Sequence, residues 1–483
     1  MPPMTDLPPP PPPPPPGPGG PTPGRTLPTP QAAAPGRRPG VIVGVIVGLL
    51  ALAAGAVFAV QALTEDDAPS GPEEAVQQLL DAIAAEDVIG VLEAMAPGER
   101  DALKPGIEDL AEQLQRLEIL SDDLDLRKIG GLDLRFEDVE LTSEPIRDGL
   151  AGVRAEAGTV RFDVDPEGLP LGEILLDLIG GQLKPTSGSD TVKSEKPDDL
   201  IVAVETDGGW FVSLGYTIAE AARRSRGAPV PDAAQAVAAA GADSPEAAVR
   251  QTLEAGIALD LRQVLALLPP GEMGALQEYA PLFLAEAEAS VTQLRQSAGF
   301  SGQFRDLQLA TEDLGAGQAL VTVTSFDLGL TVNGQQGTVS FDGKCVSVQV
   351  GAFDQRVCTE DALEQLSLTG LDLDLDEAQL GLVTVEEGGQ FFVSPTRTLL
   401  TTTVNVLKVF DADDVRALPE LIAGLAGGRS ASASFSETGS AVSDGSVSGG
   451  DSDDCYGMPC EEFARLPAEE KQRILAERFQ QNQ

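Results

Sequence analysis

The side chains best suited to covalent or coordination chemistry are four cysteines, Cys345, Cys358, Cys455 and Cys460, and no histidine joins them. Cys345 and Cys358 flank the alternating run Val346 to Val357, which Gly351-Ala352-Phe353-Asp354 interrupts. That pattern reads as a hairpin whose two strands a disulfide would staple. Cys455 and Cys460 close a six-residue loop containing Gly457 and Pro459, a second local pair. Even number, local pairing and an oxidising compartment favour disulfides over metal. A zinc centre wants four ligands, so no metal site and no cofactor are expected. General acid–base chemistry would have to fall mainly to carboxylates, since only Tyr216, Tyr279 and Tyr456 supplement 76 acids. A general base needs a perturbed environment and a placed partner. The candidates Asp81, Glu254, Asp87 and Asp260 read instead as solvated or helix-capping groups, so no catalytic residue is assigned. Leu371-Asp372-Leu373-Asp374-Leu375-Asp376-Glu377 departs from a calcium loop because Glu377 stands where the glycine should be. Its strict alternation describes a strand with one wet face. Nucleophile elbows and phosphate-cradling glycine loops are absent.

The elements that must position these groups come as a duplication. Pro72 to Leu103 recurs without a gap as Pro245 to Leu276, with 16 of 32 positions identical, including the Pro97-Gly98-Glu99 and Pro270-Gly271-Glu272 corners. Each copy closes on a related strand, Gly208 to Ser213 and Gly389 to Ser394, at a spacing of 181 rather than 173. Copy 1 opens with a helix-start signal at Ser70-Gly71-Pro72-Glu73, a break at Asp87, and a further helix after Pro105. The apolar period then changes to two, giving strands around 132–136, 153–155, 160–164, 202–204 and 210–212. Copy 2 repeats the order, with a helix after Pro395. Helices followed by a strand meander predict an α+β fold in which helices cover one face of an antiparallel sheet. Leu169 to Leu183 is more apolar than a surface helix needs. It either packs on its own domain or forms a pocket lid or partner-binding helix presenting Leu171, Ile174, Leu175, Leu178 and Ile179.

Charge and hydropathy set the compartment. Lys and Arg total 32 against 76 acids, a net charge of -44. Before residue 64 there are three basic residues and Asp6, so the remainder carries 29 − 75 = −46. Such a surface repels phosphate backbones, and nucleic-acid binding is excluded as an expectation. Val41 to Leu63 is a charge-free run of 23 residues, long enough at 1.5 Å per residue for a bilayer core of about 30 Å. Arg37 and Arg38 precede it and Glu65-Asp66-Asp67 follows, so the positive-inside rule leaves the N-terminus cytoplasmic and exports the rest. A cleaved signal peptide is the competing reading, but its apolar core is usually 7–15 residues. Nine consecutive prolines, Pro8 to Pro16, mark residues 1–40 as a polyproline or disordered cytoplasmic tail. Arg outnumbers Lys 24 to 8, which points to a GC-rich bacterial genome.

The opening Pro72-Glu73-Glu74-Ala75-Val76 to Asp87, Val91-Leu92 and Pro97, with the closing Asp207-Gly208-Gly209-Trp210-Phe211-Val212, resembles nuclear transport factor 2-like (cystatin-like, SnoaL-like) domains. The resemblance covers about 300 residues. It implies two tandem cones, each a curved antiparallel sheet around a pocket closed by the first helix. Family members often pair through their sheets, so it also implies an intramolecular pseudo-dimer of the two repeats. The expected organisation is a tail at 1–40, a transmembrane helix at 41–63, repeats at 70–226 and 244–426, and a linker at 227–243. A Ser/Gly/Asp linker at 427–454 and a disulfide-closed helical tail at 455–483 complete the chain. The expected function is a membrane-anchored, extracytoplasmic, non-catalytic binding or scaffold protein of the bacterial envelope, holding a protein partner or an apolar small molecule. The alternative is a pocket enzyme using a carboxylate base.

Overall fold

Helices, an antiparallel sheet and a closing helix follow one another twice in the computed structural model, which describes residues 69–358 except 195, 197 and 198, then 379–417, and two short strands at 454–455 and 458–459. The fold is α+β. Both copies lie within one unit, 1–421. In copy 1, α1 (Pro72–Ala84) starts on a proline with Glu73 and Glu74 in its first turn. Asp87 then accepts from Gly90 N at 2.9 Å and caps α2 (Val88–Glu93). Helix α3 (Pro97–Arg116) runs straight through Pro105, where the sequence reading placed its start. An interior proline forfeits one backbone hydrogen bond, and α3 is held instead by packing against two helices of the other copy.

The sheet of copy 1 is antiparallel, in the order β1-β2-β4-β5, with β3 also on β2. Its strands are β1 (Leu132–Arg147), β2 (Leu150–Val164), β3 (Thr186–Thr191), β4 (Ile201–Thr206) and β5 (Gly209–Ser213). The segments around Val153 and Val160 are one strand, not two. A register shift between Glu137 and Glu140 bends β1–β2 without breaking it, and Gly158, at φ 153°, packs against Val139 there. The sheet curls into a half-barrel. Helix α1 lies in it, with Val76 and Leu80 against Val153 and Val212. Helix α4 (Glu173–Ile179) follows β2, and α5 (Leu214–Ser225) follows β5, capped by Ser213.

Copy 2 has α6 (Pro245–Ile257), α7 (Leu261–Ala266), α8 (Pro270–Tyr279) and α9 (Leu284–Ala298). Its sheet reads β10-β9-β8-β7-β11-β12 with β6 on β7. The strands are β6 (Ser301–Gly315), β7 (Gln318–Val332), β8 (Gln335–Phe341), β9 (Cys345–Val350), β10 (Phe353–Cys358), β11 (Leu382–Glu387) and β12 (Gln390–Val393). Strand β7 runs unbroken from Gln318 to Val332. Helix α10 (Pro395–Lys408) closes the copy, as its Pro395 start signal predicts. Shared acids do shared work. Glu73 of α1 accepts from Ser143 of β1, and Glu246 of α6 accepts from Thr311 of β6. Those hydroxyls hold both carboxyls below their ordinary value.

The copies meet through helices rather than the sheet faces expected, and the first helix of each copy packs on its own sheet. Helix α10 of copy 2 packs on α3 of copy 1, α5 of copy 1 packs on α8 of copy 2, and α3 touches α8. At the centre the two Pro-Gly-Glu corners are back to back: a Cβ built on Gly98 would lie 2.1 Å from the carbonyl oxygen of Gly271. Arg116 of α3 donates to the carbonyls of Leu407 and Phe410 at 2.8 and 2.9 Å, satisfying the C-terminal end of α10.

No helix among the described residues is long and apolar enough to cross a membrane, and Val41–Leu63 lies outside them. Also outside are the 1–40 tail, the Asp-rich run Leu371–Glu377, the 427–453 stretch, the tail helix at 461–480, and Cys460. Cys455 falls in a two-residue strand, Asp454–Cys455, paired with Met458–Pro459.

Candidate functional site

The corner packing leaves a cleft of about 490 Å³ on the copy 1 side, within the range of small-molecule sites. Three walls meet there. One is the first turn of α3, from Ala96 to Arg100. Another is the β4–β5 turn with Val204, Thr206, Asp207 and Phe211. The third is the first turn of α8, from Pro270 to Ala275, with Tyr216 of α5 beneath. Three helix N-termini therefore converge on one space, each carrying partial positive charge.

Three acids at this junction serve the scaffold, while Asp207 of the β4–β5 turn also lines the cleft. Glu99 accepts from Ser213 Oγ at 2.6 Å and from the backbone N–H of Leu214 and Gly215 at 2.7 and 2.9 Å, which caps α5. Glu272, the corresponding residue of copy 2, accepts from Ser394 Oγ at 2.5 Å, Thr396 N at 2.9 Å and Arg397 Nη1 at 3.2 Å, which caps α10. Each carboxylate thus reaches from one helix to the start of another in its own copy. A third acid, Glu387 at the end of β11, accepts from Gly271 N at 3.1 Å and serves α8. A base able to take a proton would need a free lone pair aimed into the cleft, and these acids point theirs at helix ends.

Beside the cleft lies a buried charge cluster that joins the copies. Glu220 of α5 is wholly buried. It accepts from Arg223 Nε and Nη2 at 2.7 and 2.5 Å, Arg224 Nε at 2.7 Å and the Tyr279 hydroxyl of α8 at 3.0 Å. Burial pushes its carboxyl up, but the donors from Arg223, Arg224 and Tyr279 outweigh that and leave it below its ordinary value. Next to it Arg147 of β1 pairs with Glu278 of α8 and stacks 5.7 Å above the Tyr216 ring, which meets Tyr279 edge-on at 6.2 Å. Burial first, then the nearby Glu278 and Glu220 respectively, push the phenols of Tyr216 and Tyr279 upward, so both stay protonated.

Asp87 and Asp260 cap α2 and α7, the latter by accepting from Gln263 N at 3.1 Å, while Asp81 and Glu254 are exposed. The Leu169–Leu183 stretch divides. Leu171 and Ile174 are buried, and Leu175 packs with Leu169, Ile129, Val164 and Leu183 over the end of the sheet. Ile179 is half-buried and Leu178 is 52% exposed. One face of α4 is therefore core, and only Leu176 and Leu178 are offered outward. The disulfide Cys345–Cys358 is formed, with the two residues directly opposite in β9–β10. In the turn before it Asp342 accepts from Cys345 N, Lys344 N and Arg356, and in that order these lower its carboxyl to about 2. Among the described residues no group of three or more Cys, Asp or Glu could hold a metal ion.

No family model, curated protein or solved structure matches the chain. The cleft residues Gly98, Glu99, Thr206, Tyr216 and Glu272 were not legible as a site, because the walls come from segments more than 170 residues apart. Their one visible signal is the repeated Pro-Gly-Glu corner.

Proposed function

We propose that this chain is a single-pass, extracytoplasmic binding or scaffold protein of a bacterial envelope, non-catalytic, with two nuclear transport factor 2-like repeats fused into an intramolecular pseudo-dimer. The observation that carries the binding reading is the fate of the acids. The carboxylates Glu99, Glu272 and Glu387 are engaged at helix ends, and the cleft wall sets Pro97, Val204, Phe211 and Tyr216 beside the polar Arg100, Thr206 and Asp207. Supporting the repeat reading are the doubled element order, a first helix seated in each sheet, and the reciprocal exchange of helix contacts between copies. A disulfide in the second repeat agrees with an oxidising compartment.

Geometry also fits an anchor at Val41–Leu63. Trp210 N donates to Pro69 O at 3.0 Å, so the chain arrives beside β5 at the cleft wall. Only five residues separate Leu63 from Pro69, a reach of at most about 21 Å when fully extended. The cleft would then lie close to the outer leaflet. Two measurements on the full chain test the reading. After mild reduction, a membrane-impermeant maleimide should label Cys345 or Cys358 in intact cells, and labelling only after lysis would reverse the topology. Native mass spectrometry of the detergent-extracted chain should carry a bound small molecule or partner. Turnover of a reporter substrate abolished by Glu99→Gln with the fold intact would favour the pocket-enzyme alternative.

A further inference from the structure

Strand β10 ends the sheet of copy 2, with only β9 beside it among the described strands. It lacks the devices that usually keep an edge from pairing: it has no proline, no lysine, and no bulge in its register with β9. The disulfide Cys345–Cys358 staples it to β9. The Cα atoms of that cystine are 4.0 Å apart, the close spacing of a non-hydrogen-bonded pair. Alternation along the unbroken register then turns the main-chain N–H and C=O groups of Arg356 and Asp354 away from β9, toward the open side. Phe353, 52% exposed, and Val357 share one side-chain face with Gln355, while Asp354 and Arg356 share the other. The charge here also departs from the rest of the surface. In a chain at -44, the stretch from Gln335 to Cys358 carries two acids, Asp342 and Asp354, and two bases, Lys344 and Arg356.

We propose that β10 is the edge through which two copies of this chain join, antiparallel, about a two-fold axis at Gln355. The strand reads Phe353-Asp354-Gln355-Arg356-Val357, which complements its own reverse. In that register Asp354 faces Arg356 of the second copy, Arg356 faces its Asp354, and each pair exchanges both main-chain hydrogen bonds. Phe353 meets Val357 of the second copy on the other face, again twice. Sliding by two residues keeps the hydrogen-bonding parity but sets Arg356 against Arg356, or Asp354 against Asp354. Like charges directly opposite are unfavourable, so charge selects one register. Arg356 already donates to Asp342 at 2.7 Å and to Ser347 Oγ at 3.3 Å. Its guanidinium has five donors, enough for a further carboxylate. Local neutrality spares this edge the repulsion that the rest of the surface would impose on a second copy. The contact is isologous and closes at two chains. It shares no residue with the cleft.

The test uses the full chain in detergent micelles carrying Gln355→Cys, oxidised with copper phenanthroline and run on a non-reducing gel. Facing Cα atoms of a non-hydrogen-bonded pair lie about 4.5 Å apart, within disulfide reach, so position 355 should join two chains. The exposed control Leu178→Cys should stay single. Adding Arg356→Glu to Gln355→Cys sets an acid against Asp354 on both sides of the axis and should cut the joined fraction at least tenfold. Adding Asp354→Arg as well exchanges the two charges and should restore the fraction to within about twofold of the Gln355→Cys level. Damage to the hairpin alone would not be repaired by that second change. If Arg356→Glu does not fold, the register still decides: Phe353→Cys chains mixed with Val357→Cys chains should join, and neither should join to itself. Equal joining at 178 and 355, none at 355, or a folded charge exchange that fails to restore it would each overturn the assignment. Joining of position 355 in cell membranes to a different protein, with none to itself, would overturn it too.

Discussion

Replacing Glu220 by Gln keeps the side-chain volume and removes the charge, so the change opens no cavity and isolates the electrostatics. In the wild type one fully buried carboxylate receives four hydrogen bonds, from Arg223 twice, Arg224 and Tyr279. The two guanidinium side chains are only 14% and 16% exposed, so they cannot turn to water when the charge goes. Breaking one side of a buried pair costs about 3–5 kcal/mol. The lower end applies here, because Arg224 keeps Glu144 and Arg223 keeps the Ala228 carbonyl. Tyr279→Phe removes one donor of four and should cost about 1.5 kcal/mol, the lower bound for a hydrogen bond to a charged group. The double variant should lose about 1 kcal/mol less than the sum, since the tyrosine's partner is already neutral. Urea titration followed by the fluorescence of Trp210, the only tryptophan, reports all four proteins. A loss below about 1 kcal/mol for Glu220→Gln, or strict additivity, would refute the buried clasp between the copies.

Gly98→Ala should be severely destabilising, because its Cβ would meet the backbone of Gly271 at 2.1 Å. Gly271→Ala meets only the flexible end of Glu387, at 3.2 Å, and should cost under about 1 kcal/mol by the same urea assay. The Asp342 carboxyl, lowered to about 2 from an ordinary 3.8, supports the β8–β9 turn at any pH above 3.8. That support should disappear as pH falls through about 2, read as faster amide exchange at Lys344 and Cys345, and exchange that is flat across this window would contradict it. Glu220 follows the same sign: the clasp is intact above 4.5 and weakens as acid titrates a carboxyl held below that value. Reducing Cys345–Cys358 should release about 3 kcal/mol of protection in β9–β10, for a loop of sequence separation 13, while leaving exchange in α3 unchanged.

What could be read from the residues follows the range of the interactions involved. The duplication, the capping acids Asp87 and Asp260, and the Cys345–Cys358 hairpin are local, and each stands where its own few residues put it. Helix α5 escaped because its two large aliphatic residues, Leu214 and Ile218, are exposed rather than core. Its buried face carries Glu220, whose partner Tyr279 is 59 residues away. Pro105 misled for a related reason, since contacts from α10 and α8 stabilise a helix that a local rule would end. The split of long β2 into two shorter strands took a bulge for a turn. The cleft belongs to no single stretch of chain, its walls coming from 96–100, 204–216 and 270–275.

The account's central claim is that the space between the repeats is a binding site on the outer face of the membrane. Photo-crosslinking in intact cells from p-benzoylphenylalanine placed at Phe211 tests this most directly, with the same residue at Leu178 as an exposed control. A discrete adduct from position 211, with none from position 178, is the predicted result. Adducts from 178 but not 211, or from neither position, would contradict it.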